Sequence, residues 1–261
     1  MMFVAEFMPR SVAITILFIL GNCRVQDRET HMNTLKIAYS IALISLVAAC
    51  DGGPGDGTGT LRVNVVINVI NSVDNATSPE DFRTVFWADV RHEDGTFIDD
   101  ASVTLESDQD TIELEHIISP GDDYYDGMHE GVRGSYRLDV TAGAHYVSSA
   151  VFEIPDLHVF TAPLPGQSVP GADPLEVTWD RTIEAEETYI QTSQLDMGIP
   201  DTGAFTIPRG GLAVDRDQVE YDQLFLYRGT FVPLPGAASF SFVRLNVQNG
   251  MDIEVDPDPS L

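Results

Sequence analysis

Few side chains in this sequence are arranged for chemistry, and the most reactive of them stands alone. Cys50 closes the apolar part of ISLVAACDGG, after which the chain turns to Asp, Gly and Pro. The other cysteine, Cys23, lies upstream. Residues beyond 50 therefore hold neither an internal disulfide nor a Cys-rich zinc site. Two acidic stretches offer oxygen ligands. GDDYYDG over 121–127 carries Asp122, Asp123 and Asp126, and DRDQVEYD over 215–222 carries Asp215 and Asp217. Hard cations such as Ca2+ take roughly six to eight oxygens, which such loops can supply. Neither stretch has the D-x-[DN]-x-[DN]-G spacing of an EF-hand loop, and a solvated turn is the plainer reading.

Motifs for catalysis are missing from the sequence. There is no G-x-S-x-G elbow, no H-E-x-x-H pair and no Gly-Lys-Ser/Thr phosphate loop. The histidines are separated, and His129-Glu130 lacks the second histidine that zinc needs. His116 shares a face with Ile112 and Leu114, as expected of a half-buried strand residue. With so many carboxylates, a close pair is expected by chance and says little about glycoside hydrolysis. No catalytic residue is assigned. Trp87, Tyr124 and Tyr125 could form a sugar-stacking face, since Trp87 is out of phase with Phe86, Ala88 and Val90. Sandwich strands often bury a Trp at an edge or under a loop, and that reading is preferred.

The charge balance narrows the partners. The 261 residues carry 14 basic and 41 acidic side chains, a formal charge of -27. After Cys50 there are ten arginines, no lysine and 38 acidic residues. Such a surface repels nucleic acid and anionic headgroups, so no nucleic-acid partner is expected. It serves solubility, fits a salty habitat where ions screen self-repulsion, or binds divalent cations. Apolar content of 43% is ordinary for a globular chain.

The positioning of Cys50 has a specific form. MNTLKIAYSIALISLVAAC, from Met32, has a cationic start at Lys36 and an apolar or small run over 37–49. That run is too short for a span of about 20 residues and suits a signal-peptide core. With Val47-Ala48-Ala49-Cys50 it resembles a bacterial lipoprotein signal peptide with its lipobox. The resemblance implies lipid on the Cys50 thiol, cleavage before it, and acylation of the new amino group. A membrane partner through that lipid follows, and several acyl chains would hold stably. Residues 1–49 are then a signal segment, with translation expected to start at Met32 and residues 1–31 a start-site artefact. Asp51 would mean inner-membrane retention in enterobacteria but not in other lineages. The expected location is the cell envelope, at the outer membrane or cell surface rather than the inner membrane.

Beyond the lipobox, residues 50–60 read as the lipidated cysteine and a flexible Gly-rich linker, GGPGDGTGT. From Leu61 the pattern has period two: Leu61, Val63, Val65, Ile67 and Val69 alternate with mostly polar residues. Similar short runs recur between turns, and no stretch of 12 or more residues has helical periodicity. The expected fold is all-β: two tandem antiparallel β-sandwich domains, over 61–156 and 157–256, with a fraying tail at 257–261. In the first, Asp94-Gly95-Thr96, Asp100-Ala101-Ser102-Val103-Thr104-Leu105 and Gly134-Ser135-Tyr136-Arg137-Leu138-Asp139-Val140 resemble the immunoglobulin-like, carboxypeptidase-regulatory type of bacterial surface domain. In the second, Pro163-Leu164-Pro165-Gly166 and Pro174-Leu175-Glu176-Val177-Thr178-Trp179 resemble a cell-surface immunoglobulin-like repeat. The Cys, Trp, Cys hallmark is reduced to the Trp, and neither resemblance carries a catalytic residue. The expected role is structural, adhesive or binding, towards a protein or glycan. The alternatives are a calcium- or carbohydrate-binding module and, behind these, an envelope hydrolase.

Overall fold

The computed structural model describes residues 55–119 and 123–260. Cys50, the segment before it and Asp122 lie outside the described residues. Seventeen strands run in order: β1 (Asp56–Gly57), β2 (Leu61–Asn71), β3 (Phe82–His92), β4 (Ser102–Glu106), β5 (Thr111–Glu113), β6 (Glu115–Ile117), β7 (Tyr124–Glu130), β8 (Ser135–Ala142), β9 (His145–Glu153), β10 (Val159–Ala162), β11 (Ser168–Pro170), β12 (Leu175–Asp180), β13 (Glu187–Gln191), β14 (Asp196–Gly198), β15 (Ala204–Ile207), β16 (Glu220–Pro233) and β17 (Phe242–Asp256). A single 3-10 turn at Pro79–Asp81 interrupts them among the described residues. The fold is all-β, as the alternation predicts.

One large sheet organises the rest. Its order is β14-β13-β16-β17-β2-β3-β7-β6, with β11 also paired to β17. Strand β17 is antiparallel to β16 along its length, and parallel to β2 and β11 on its other side. The sheet is thus mixed, where a purely antiparallel one was expected. A five-stranded sheet, β1-β9-β8-β4-β5, and a three-stranded sheet, β10-β12-β15, complete the structure.

Alternation decides which face is buried. Leu61, Val63, Val65, Ile67 and Val69 on β2 point inward, with Phe86, Ala88 and Val90 opposite them on β3. All but Val69 pack with Leu138, Val140 and Phe152 of the five-stranded sheet in one core, while Val69 packs with Ala76, Phe82 and Val247 in a smaller cluster. Trp179, Phe160, Ile190 and Ile207 pack with Leu224, Leu226, Ile253 and Val255 in a second. The hairpin of β16 and β17 feeds both, because Val232, Val243 and Leu245 belong to the first. The sequence block over 157–256 therefore supplies part of each core.

Local readings differ at two ends. The Gly-rich linker is not free along its whole length: Asp56 and Gly57 pair with Ser148 and Val147 of β9. A Cβ on Gly57 would lie 2.2 Å from the Gly236 carbonyl oxygen, so only glycine fits this close passage. The tail expected to fray is pinned through Ser260. Asp258 is buried, its N–H donates to the Asp215 carbonyl at 2.9 Å, and its carboxylate pairs with Arg209.

Candidate functional site

The face of the large sheet opposite the two cores is built from the residues between the buried ones. Cross-strand neighbours share a face, so register lays these residues out in rows. One row runs Phe231, Arg244, Val66, Trp87 and Asp126 across five strands. The next runs Glu187, Gly229, Asn246, Asn68, Val85 and Met128. A third begins Tyr189, Tyr227, Gln248, Ile70. Phe231 and Met128 are exposed, and Trp87, Arg244, Asn246 and Tyr227 are half-buried.

The aromatic groups on this face are held in contact. The Trp87 and Tyr124 ring centroids lie 6.0 Å apart, and Phe231 and Phe242 meet edge-on at 5.5 Å. The Arg244 guanidinium sits 5.1 Å from the Phe231 ring centroid. Burial of Trp87 at an edge or under a loop, the preferred sequence reading, is not what the structure has. Trp87 is half-buried on β3, an interior strand that β2 and β7 flank, so it is not at a sheet edge. Tyr124 joins it on this face. Tyr125 does not: its neighbouring position turns it into the first core, where its hydroxyl donates to the Ile98 carbonyl at 2.7 Å.

Polar side chains in the second and third rows restrain one another. Arg244 donates to Glu187 Oε2 at 3.1 Å and to Asn246 Oδ1 at 3.2 Å. Asn246 Nδ2 donates to Asn68 Oδ1 at 2.9 Å, and the Tyr227 hydroxyl donates to Gln191 Oε1 at 2.9 Å. Burial pushes the Tyr227 hydroxyl pKa up, and the Asp196 carboxylate adds to it. Together with Tyr189 these residues line an open concavity of about 370 Å³.

Among the described residues the candidate cation ligands do not converge. Asp126 sits on β7 opposite Trp87 and Glu115, on the outer sheet face. Asp123 immediately precedes β7, so the stretch read as an acidic loop enters a strand at Tyr124. Asp215 Oδ1 accepts the N–H groups of Asp217 at 2.7 Å and Gln218 at 3.0 Å, which closes a turn. Among the described residues, no three His, Cys, Asp or Glu side chains are grouped so as to hold a metal ion. Sequence separation hid one pair of histidines: His92 and His145 meet edge-on at 6.3 Å. His116 is half-buried against Phe97 and Tyr125.

A second polar cluster is buried in the second sandwich. Arg228 donates to Asp201 Oδ2 at 2.9 Å through Nη2, and both side chains are 1% exposed. Asp201 also accepts Trp179 Nε1–H at 3.1 Å and the Ala185 N–H at 2.8 Å. Burial raises the Asp201 pKa, but the hydrogen bonds from Arg228, Ala185 and Trp179 outweigh it and hold the carboxyl below the usual range. This cluster braces the sandwich: Arg228 is buried, its remaining bonds go to backbone carbonyls of Asp156 and Ile183, and it forms part of the wall of a cleft of about 310 Å³.

No family model and no curated protein matches this sequence. Among solved structures, the adhesin InvE of Yersinia pseudotuberculosis is similar over 73% of this chain, at 12% identity and a TM-score of 0.23. The match spans 60% of the adhesin's length. At that TM-score the likeness carries no argument about function. Among the described residues no helix is long and apolar enough to cross a membrane.

Proposed function

We propose that this chain is a lipid-anchored cell-envelope protein that binds, without catalysis, through the outer face of its large sheet. The observation that carries this is one of composition against background. On a chain with 38 acidic residues after Cys50, this face presents Trp87, Tyr124, Phe231, Phe242, Met128 and Arg244. Those residue types are the ones enriched in recognition surfaces, while carboxylates are depleted there. A partly exposed apolar patch of this kind, with Phe231 and Met128 open to solvent and Trp87, Tyr124 and Phe242 half-buried, costs solubility and is retained where something covers it. Its openness favours binding over turnover, since reactions profit from excluding water.

Anchoring rests on the lipobox-like Val47-Ala48-Ala49-Cys50, which supports a place in the cell envelope. The Gly-rich residues after Cys50 would give the sheet some reach from the bilayer. The immunoglobulin-like resemblance of both blocks belongs to the same reading. The test removes the anchor and keeps the face. The mature chain from residue 50, carrying Cys50→Ser and no signal segment, is mixed with isolated envelopes and sedimented. It is expected to pellet with them, and the same chain with Trp87→Glu and Phe242→Glu to stay in solution with an unchanged melting temperature. Equal sedimentation of the two would refute the outer face as the contact surface.

A further inference from the structure

Gly229 lies on the lining of the concavity on the outer face, where Asn246 closes over it. Gly229 stands between Glu187 and Asn246 in the second row. A Cβ there would lie 2.6 Å from Asn246 Oδ1 and 3.0 Å from the Leu245 carbonyl oxygen. Glycine therefore lets Asn246 lie over the floor of the row while Tyr189 and Tyr227 wall it from the next. The volume of about 370 Å³ falls at the small end of the ~300–1,000 Å³ typical of small-molecule sites.

Resting on the binding role proposed above, we infer that this groove is a subsite for a neutral sugar residue of a glycan. A sugar hydroxyl both donates and accepts, and it needs fixed partners of each kind. The groove has them: Glu187 keeps a second carboxylate oxygen beyond the one paired with Arg244, and Asn68 Nδ2 and Gln191 Nε2 have no hydrogen-bond partner among the described residues. Each of these side chains is held through its other polar atom, so little freedom is lost on binding. The apolar C–H face of a pyranose has a ring to lie on in Tyr189, which is 37% exposed.

Charge selects against other ligands. Arg244 is the cation lining the groove, and it is paired with Glu187; Asp196 lines it too. An anionic polymer would meet those carboxylates on a chain of charge -27. An extended peptide would seek unpaired backbone at a sheet edge. Here β13, β16 and β17 are each paired on both sides.

The test titrates the full chain with cello-, xylo-, manno- and malto-oligosaccharides by calorimetry. At least one is expected to bind, and Tyr189→Ala and Asn68→Ala each to weaken it by about tenfold. Gly229→Val should abolish it by displacing Asn246; Tyr189→Ala, which adds no atoms, decides the matter if that variant fails to fold. Binding that survives both Tyr189→Ala and Asn68→Ala would overturn the subsite. So would an absence of binding across the four series. If that absence came while envelope sedimentation still depended on Trp87 and Phe242, the sugar assignment would fall and the contact-face reading would stand. If sugar bound through Tyr189 while sedimentation ignored Trp87 and Phe242, the subsite would stand and the wider face would fall.

Discussion

His158 is wholly buried, and one of its ring nitrogens has nothing to bond. Nε2 lies 3.1 Å from the Leu226 carbonyl oxygen and so carries the proton, while Nδ1 is buried without a partner. Protonating Nδ1 would place an unpaired N–H and a second charge near Arg228. Burial first, and the Arg228 guanidinium second, hold the pKa down at about 3, against 6.5 for a free histidine. The sign follows. Below pH 6.5 the unfolded chain takes up a proton that the folded chain refuses, so stability is full above that value and falls towards pH 3, by up to about 1.4 kcal/mol per pH unit. Asp201 acts lower: its depressed carboxyl contributes above the ordinary value of 3.8 and is lost below it. Glu186, held below its ordinary 4.5 chiefly by the Phe231 N–H, also loses its contribution as pH falls through that value. The window from pH 6.5 down to about 5.5 is therefore the one that reads the histidine. Urea unfolding across that window should show the slope in the wild type and a flatter one in His158→Gln. An unchanged slope in the variant would assign the effect to other groups. Nothing in the sequence separated this histidine from the others, because its burial depends on strands far apart in the chain.

At the scale of elements, alternation was a good guide and turn chemistry a poorer one. The period-two runs from Leu61 and from Leu175 are β2 and β12, and Ala204–Ile207 is β15. The pattern over Leu224 and beyond is β16. From Phe242 to Asp256 the chain is a single strand, β17. Asn249-Gly250 looks like a turn, yet the buried positions stay in phase from Val243 to Val255. Gly250 is there because the Phe225 ring leaves a Cβ only 2.2 Å. Asn249 is there as a clamp. Its Nδ2 donates to the Ala76 and His158 carbonyls at 2.9 and 2.7 Å, and its Oδ1 accepts the N–H groups of Ala76 and Gly250 at 3.0 Å each. One side chain thereby fastens the β2–β3 connection and the approach to β10 onto β17. Asn249→Ala removes four hydrogen bonds, three of them to buried backbone groups of Ala76 and His158, so it should cost about 3 kcal/mol. Chemical denaturation measures this, and a loss under about 1 kcal/mol would mean that water replaces the amide. The outer-face rows were hidden for a related reason. Trp87 could be phased from β3 alone, but its neighbours Val66 and Arg244 come from β2 and β17, and only the register between strands brings them together.

For the whole molecule, the shared hairpin decides how the two sandwiches lose their structure. Leu245 packs in the first core and Ile253 in the second, and both are on β17. Between them the strand has no break, and β16 pairs with it from Glu220↔Val255 to Pro233↔Phe242. Releasing β17 from the first core removes the parallel partner of β2 and carries the Asn249 clamp with it. Freeing it from the second leaves Leu224, Leu226 and Met251 without their neighbours. Neither core keeps a closed surface once the other opens, so the sandwiches should unfold as one unit. Trp87 on β3 and Trp179 in the second core report on the two separately when each is kept as the sole tryptophan. Leu245→Ala should destabilise by about 2–5 kcal/mol, as should Ile253→Ala. Each variant should move the Trp87 and Trp179 transitions to the same new midpoint, although each touches only one core. A midpoint that shifts at Trp87 and stays at Trp179 in Leu245→Ala would show two independent domains, with β17 able to part between Val247 and Met251.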